Sequence, residues 1–203
     1  MNETSRPGLG RSLAELVIIF VGVSAAFFVE NYRDDRQDLQ ALDQAVDGIL
    51  FELDHYRDGS ARHADGIAAS LEQWETEAAA GRRAVPAHYT IPGALRPPAP
   101  AWETAVAGGV ANLLEPSIRM DLGWYYNEFL GIHQNYVRRV EFAEREIFPL
   151  ERLGPDAFYG DGGDLLPRFA VHMDLLRRFE TDLRESARWA DSLHDVLTET
   201  RGR

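Results

Sequence analysis

The sequence predicts an all-α protein, with an N-terminal single transmembrane helix followed by an irregular antiparallel helical bundle that carries a long Pro-rich crossover loop. Three observations lead there. Leu16–Val29 is an uncharged run whose only polar side chain is Ser24. Beyond it, apolar residues recur in alternating three- and four-residue steps, the period of an amphipathic helix. No segment shows the sustained two-residue alternation of a half-buried strand.

The bulk composition narrows the function classes. At 203 residues the chain has room for one ordinary domain plus an appendage. Its net charge of −12 argues against nucleic acid, because phosphate binding needs a basic face. All 21 basic residues are Arg, and Cys is absent, which excludes disulfides, thiolate nucleophiles and Cys-ligated clusters.

Element by element, residues 1–12 read as a polar tail and 13–32 as the anchor. Twenty helical residues span about 30 Å, the thickness of a bilayer core. Glu15 lies near one end and Glu30, Asn31 and Tyr32 near the other, where charge is least costly. A signal-peptide cleavage site is available at Ser24-Ala25-Ala26, but the apolar run continues through Phe27-Phe28-Val29. A buried soluble helix would show a polar face, and this segment has none. Arg6 and Arg11 precede the span and Arg33 and Arg36 follow it, so the short N-terminal tail, rather than charge bias, tips the orientation toward a cytoplasmic N-terminus. Gly22 and Ala26, four apart, share a face that suits close packing of two membrane helices.

Residues 33–203 form the expected helical bundle domain. Leu39, Leu42, Val46, Ile49, Leu53 and Tyr56 trace one seam, which resumes at Ile67, Leu71, Trp74 and Ala78. That predicts one long helix, bent near Gly59 and capped at Gly81. Residues 82–100 hold five of the ten prolines and read as an extended crossover loop. A short helix follows in "AWETAVAGG", with Trp102, Ala105 and Val106 as its apolar side. Pro116 opens the next helix, whose apolar face runs from Leu122 through Tyr125, Tyr126, Phe129 and Tyr136 to Ile147, before Pro149. The last helix spans about 165–200, with Asp164 as N-cap candidate and Phe169, Met173, Leu176, Leu183, Ala187, Ala190 and Leu197 inside.

Candidate chemistry is sparse. Glu52/His55 and Asp191/His194 have the Glu-x-x-His spacing of bundle metal sites. His55, however, falls off the seam, Asp191 is an atypical ligand, and His194 suits a hydrogen-bonded core position. "GDGGDLL" at 160–166 follows no strand and matches no nucleotide or calcium loop. No serine sits in a nucleophile elbow. Trp102, Trp124, Tyr125, Tyr126 and Phe129 form an aromatic group able to line a pocket or fill a core.

The anchor and its continuation "ENYRDDRQD", together with "AWETAVAGGVANLLEPSIRMDLGWYY" at 101–126, resemble a group of uncharacterised bacterial single-pass membrane proteins with a domain of unknown function. The resemblance covers about a quarter of the chain, and Tyr32 stands where that group carries Trp. It implies an anchored helical domain and supplies no catalytic residues. The expectation is therefore a non-enzymatic, membrane-anchored interaction module of the bacterial inner membrane, with no cofactor. It would be an accessory, scaffold or assembly subunit whose partners are other membrane-protein subunits and, through 13–32, the bilayer, with the C-terminal domain periplasmic. The alternatives are a ligand-binding sensor that uses the aromatic interior and, third, an enzyme with a metal in the bundle core.

Overall fold

The computed structural model describes residues 9–90 and 99–201, with the side chains of 9–19, 31 and 35 outside the description. The chain is all-helical: α1 (Leu9–Ala79), α2 (Pro100–Ala107), α3 (Pro116–Phe142), α4 (Phe148–Glu151) and α5 (Pro167–Arg201). Short 3-10 turns occupy Val110–Leu113 and Pro155–Phe158, and the closest approach to a strand is the isolated bridge Tyr159–Leu165. Two compact units result, Met1–Gln44 and Ala45–Arg203.

In the first unit the helix exposes apolar side chains all round. Phe20, Val21, Val23, Phe27, Phe28 and Val29 are more than half exposed, Phe28 at 79%. Among the described residues no helix is long and apolar enough to cross a membrane. Residues 13–19 of the sequence-predicted span contribute nothing to that statement, because their side chains lie outside the description.

In the second unit α1, α3 and α5 enclose stacked core clusters. One joins Ile49, Leu53 and Tyr56 to Leu122, Tyr125 and Tyr126 and to Ala190, Leu193 and Leu197. The next joins Ala64, Ile67 and Leu71 to Ile132 and Tyr136 and to Met173, Phe179 and Leu183. Residue numbers climb together on α1 and α3 and descend on α5, so α1 and α3 run parallel and only α5 is antiparallel to both. The irregular antiparallel bundle expected from sequence is thus corrected for one pair, α1 and α3, the pair that the expected crossover joins. Two parallel helices cannot be joined by a tight turn, so the chain after α1 must travel back along the bundle before α3 can start.

The seam of α1 holds where it has partners and fails at its ends: Leu39 is 65% exposed and Ala78 is exposed. The helix passes Gly59 without a break, with Ser60 and Ala64 buried where the pattern looked weak. It ends in a Schellman arrangement. The Gly81 N–H donates to the Ala78 carbonyl and the Arg82 N–H to that of Glu77, with Gly81 at φ +71°.

The described part of the crossover, 82–90, is stitched to the bundle. The Ala84 N–H donates to the Tyr159 hydroxyl (3.1 Å), which in turn donates to the Ala84 carbonyl (2.9 Å). Ser70 Oγ donates to the His88 carbonyl (3.1 Å), and Pro86 and Ala87 are buried. Gly66 is what lets Tyr89 lie on α1, since a Cβ there would overlap the Tyr89 ring. Residues 91–98 of the Pro-rich loop lie outside the described residues.

Pro116 opens α3 at its first turn, as expected. The helix does not run unbroken to Pro149. A π turn, Ala143–Ile147, intervenes, and the Phe148 N–H donates to the Ala143 carbonyl, five residues back. Pro149 explains it: proline lacks an N–H and its ring clashes with the carbonyl four residues back, so the backbone widens by one residue just ahead of it. The final helix starts at Pro167, which puts Leu166 rather than Asp164 at the N-cap position. Val106, assigned to the apolar side of α2, is exposed.

Buried His172 holds α5 against the crossover. Its Nε2–H donates to the Ala87 carbonyl (3.0 Å) and its ring stacks on Phe142 at 4.8 Å. Burial lowers its pKa from 6.5 to about 4. The unfolded chain therefore takes up the proton first, so this contribution is whole above pH 6.5 and is lost as pH falls toward 4. Wild-type stability is expected to drop by roughly 2–3 kcal/mol more than that of His172→Gln between pH 7.5 and 4.5. Urea unfolding midpoints of both chains at the two pH values measure it, and equal losses would refute it.

Candidate functional site

The centre of the first core cluster is polar. Glu52, on the flank of the α1 seam next to Leu53, is 7% exposed. Its Oε1 accepts the Ala101 N–H (2.8 Å) and its Oε2 accepts the Tyr126 hydroxyl (2.7 Å). Ala101 lies in the first turn of α2, where an unpaired backbone N–H and the helix dipole both favour a carboxylate. Close approach of the backbones makes this possible: Gly48 faces Ala101 so tightly that a Cβ there would sit 2.9 Å from the Ala101 Cβ. One carboxylate thus ties α1 to α2 and α3.

The five aromatic residues singled out from sequence do not form one pocket. Trp102 stacks on Tyr126 with ring centres 5.5 Å apart and planes within 1° of parallel, roofing the Glu52 junction. Tyr125 and Phe129 turn the other way and stack at 6.0 Å. Trp124 is 59% exposed and joins neither group. Two residues outside the sequence-based group complete the cluster. Tyr56 meets Phe129 at 4.3 Å, and Trp189 meets Tyr125 edge-on at 5.6 Å. Trp189 precedes the buried Ala190 on the α5 seam, and that adjacency is the signal by which it could have been found.

Burial is the main cause that raises the pKa of all three tyrosines, reinforced at Tyr126 by its hydrogen bond to Glu52 and at Tyr56 by the Glu52 charge. They are neutral at any physiological pH. With both carboxylate oxygens engaged by donors, Glu52 serves as a structural acceptor. The Tyr56 hydroxyl is buried without a hydrogen-bond partner, while Tyr125 and Ser186 face each other, and Ser186 partly offsets the effect of burial on Tyr125.

Beside Tyr125 and Phe129 a cavity of about 240 Å³ opens between α3 and α5. Ile132 and Trp189 complete its apolar walls, and Glu128, Asp182 and Glu185 supply carboxylates. Burial, then the neighbouring Glu185 charge, raises the Asp182 pKa above the usual carboxylate range. The arrangement suits a cation held by aromatic faces and acids. Among the described residues no group of three His, Asp or Glu side chains converges to hold a metal ion.

The sequence-predicted histidine pairs separate. His55 is exposed while Glu52 points inward. His194 is half-buried, with Nε2 3.6 Å from Asp54 Oδ1 on α1, at the rim and not in the core.

Removing the Tyr126 hydroxyl leaves one Glu52 oxygen buried and short of a donor. Tyr126→Phe and Glu52→Gln are each expected to cost about 1.5–3 kcal/mol. The double variant is expected to cost clearly less than their sum, because they share one bond. Denaturant titrations of the four chains read the coupling; strict additivity would remove Glu52 from the junction.

Comparison with protein-family models, with curated proteins and with solved structures finds no match to this chain.

Proposed function

We propose that the chain is a membrane-anchored helical interaction module, an accessory, scaffold or assembly subunit of a larger membrane protein complex of the bacterial inner membrane. The observation that carries the reading is the apolar surface of α1 at Phe20–Val29, exposed on every side of the helix. A helix apolar all round belongs in lipid or in the core of a large assembly. Together with the apolar residues at 13–19, it makes a stretch long enough to span a bilayer core of about 30 Å.

The N-terminus is assigned to the cytoplasm and the bundle to the periplasm. The remaining construction favours binding over chemistry: the buried carboxylate is spent on structure, and the core is filled by the chain's own aromatic rings. Gly22 and Ala26 are the positions assigned to a partner helix; a side chain added at Gly22 would meet nothing within 4 Å in the isolated chain. Mild-detergent extraction and native electrophoresis are expected to yield a stoichiometric complex, and Gly22→Leu is expected to deplete the partner at least several-fold. A lone monomer from native membranes, or unchanged association of the variant, would count against the proposal.

A second reading, a membrane-anchored sensor, is favoured by the acid-lined cavity beside Tyr125, Phe129 and Trp189. A small organic ammonium ion is expected to raise the thermal midpoint of the full chain. Substituting Asp182→Asn is expected to abolish that rise, and an unchanged midpoint for the wild type would dismiss the sensor.

A further inference from the structure

A cavity of about 590 Å³ lies at the other end of the α3–α5 interface, beside the first turns of α5. One wall is apolar, formed by Phe142, Val171 and Leu175, and Val171 and Leu175 are exposed in the isolated chain. The opposite chemistry comes from Arg138, Arg139 and Arg168. Three guanidinium groups around one cavity stand out in a chain of net charge −12.

Their local pairing leaves charge to spare. Arg168 reaches Glu146 only at 3.5 Å, and Arg138 has no acidic partner among the described residues. Arg139 lies over the Phe179 ring at 5.3 Å, and its Nε is buried without a hydrogen-bond acceptor. A buried guanidinium N–H without an acceptor is costly, and an oxyanion is the acceptor that guanidinium geometry fits best. His172 closes the back of the cavity as a ring kept neutral by burial, with its Nε2–H on Ala87 and its face on Phe142. The amino end of the 35-residue helix α5 adds its dipole in the same sense.

The geometry points to a binding site for an amphipathic organic anion, with a carboxylate or phosphate head on Arg138, Arg139 and Arg168 and an apolar tail against Phe142, Val171 and Leu175. The cavity volume lies within the range of small-molecule sites, and the balance of apolar wall and few polar groups is the usual one. The site does not draw on the anchor, and it is linked to the aromatic cavity only through the Arg139–Asp182 charge pair.

The test uses the full chain in phosphatidylcholine nanodiscs, titrated calorimetrically with octanoate, with empty nanodiscs as reference. Saturable one-to-one binding of octanoate, with octylammonium binding at least tenfold more weakly, is the expected result. Arg139→Gln and Val171→Asp should each weaken octanoate about tenfold or more, the effect of one charge-assisted hydrogen bond or of a charge placed on the apolar wall. Because a variant at half-buried Arg139 can disturb folding, exposed Arg138→Gln provides the control substitution and should weaken octanoate several-fold with an unchanged thermal midpoint. Replacing the disc lipid with phosphatidylglycerol separates the sources of the anion. Loss of octanoate binding there assigns the site to a net anionic lipid headgroup, and retained binding assigns it to a soluble carboxylate. Equal affinity for octanoate and octylammonium, or arginine variants that bind like the wild type, would overturn the site.

Discussion

The parallel course of α1 and α3 is the constraint from which the rest of the bundle follows. Side chains from Ile49 to Ile67 on α1 cover roughly 27 Å of helix, and α3 climbs the same distance in the same direction. The chain must therefore be carried back outside the core. A regular helix going back would add a fourth layer, whereas the described part of the crossover, 82–90, is non-helical and fastened at intervals. Ser70, His172 and Tyr159 provide those fasteners through backbone groups of Ala84, Ala87 and His88. Glu52 completes the return by receiving the first turn of α2 where the crossover lands.

The antiparallel neighbour is positioned differently. Asp47, Arg57, Asp65 and Glu75 on α1 meet Arg201, Asp191, Arg184 and Arg177 on α5. The partners descend as α1 ascends, about one pair every ten residues. Each pair is largely solvated and contributes little on its own. Their spacing works as a register mark, since sliding α5 by one turn would take the basic partners away from Asp47 and Glu75. The net negative chain thus spends many of its arginines in holding one helix in line.

Much of this architecture was legible in sequence. Periodicity located all three long helices, Pro116 marked the start of α3, and the buried faces of α3 and α5 follow the apolar pattern closely. Periodicity has no information on direction, which is why the parallel pair was missed. It also treats every seam position alike, so Leu39 was placed inside although nothing packs over it. The aromatic group divided because Tyr125 and Tyr126, adjacent in sequence, project about 100° apart on a helix and so serve different neighbours. Glu52 escaped as a junction because its partner is a backbone N–H supplied by α2, which no side-chain motif encodes. The arginine-lined cavity was invisible for a related reason: "RRVEFAERE" alternates in sign like any solvated face, and only its juxtaposition with Arg168 and Val171 gives it a concave side.

The π turn ahead of Pro149 inserts one residue into an otherwise continuous helical rod. An inserted residue rotates everything beyond it by about 100° relative to an ideal α-helix. Ala143 and Ile147, four apart and on one face, meet Phe158 and Phe169 in a third small core just where the turn falls. The loop from 152 to 166 can then fold back over the rod and not trail from it. Read in this way, the turn acts as a phase adjuster: a single-residue offset brings one helix to serve two cores whose facing directions differ. An unbroken α-helix of the same length here would present the wrong side of everything beyond Ile147.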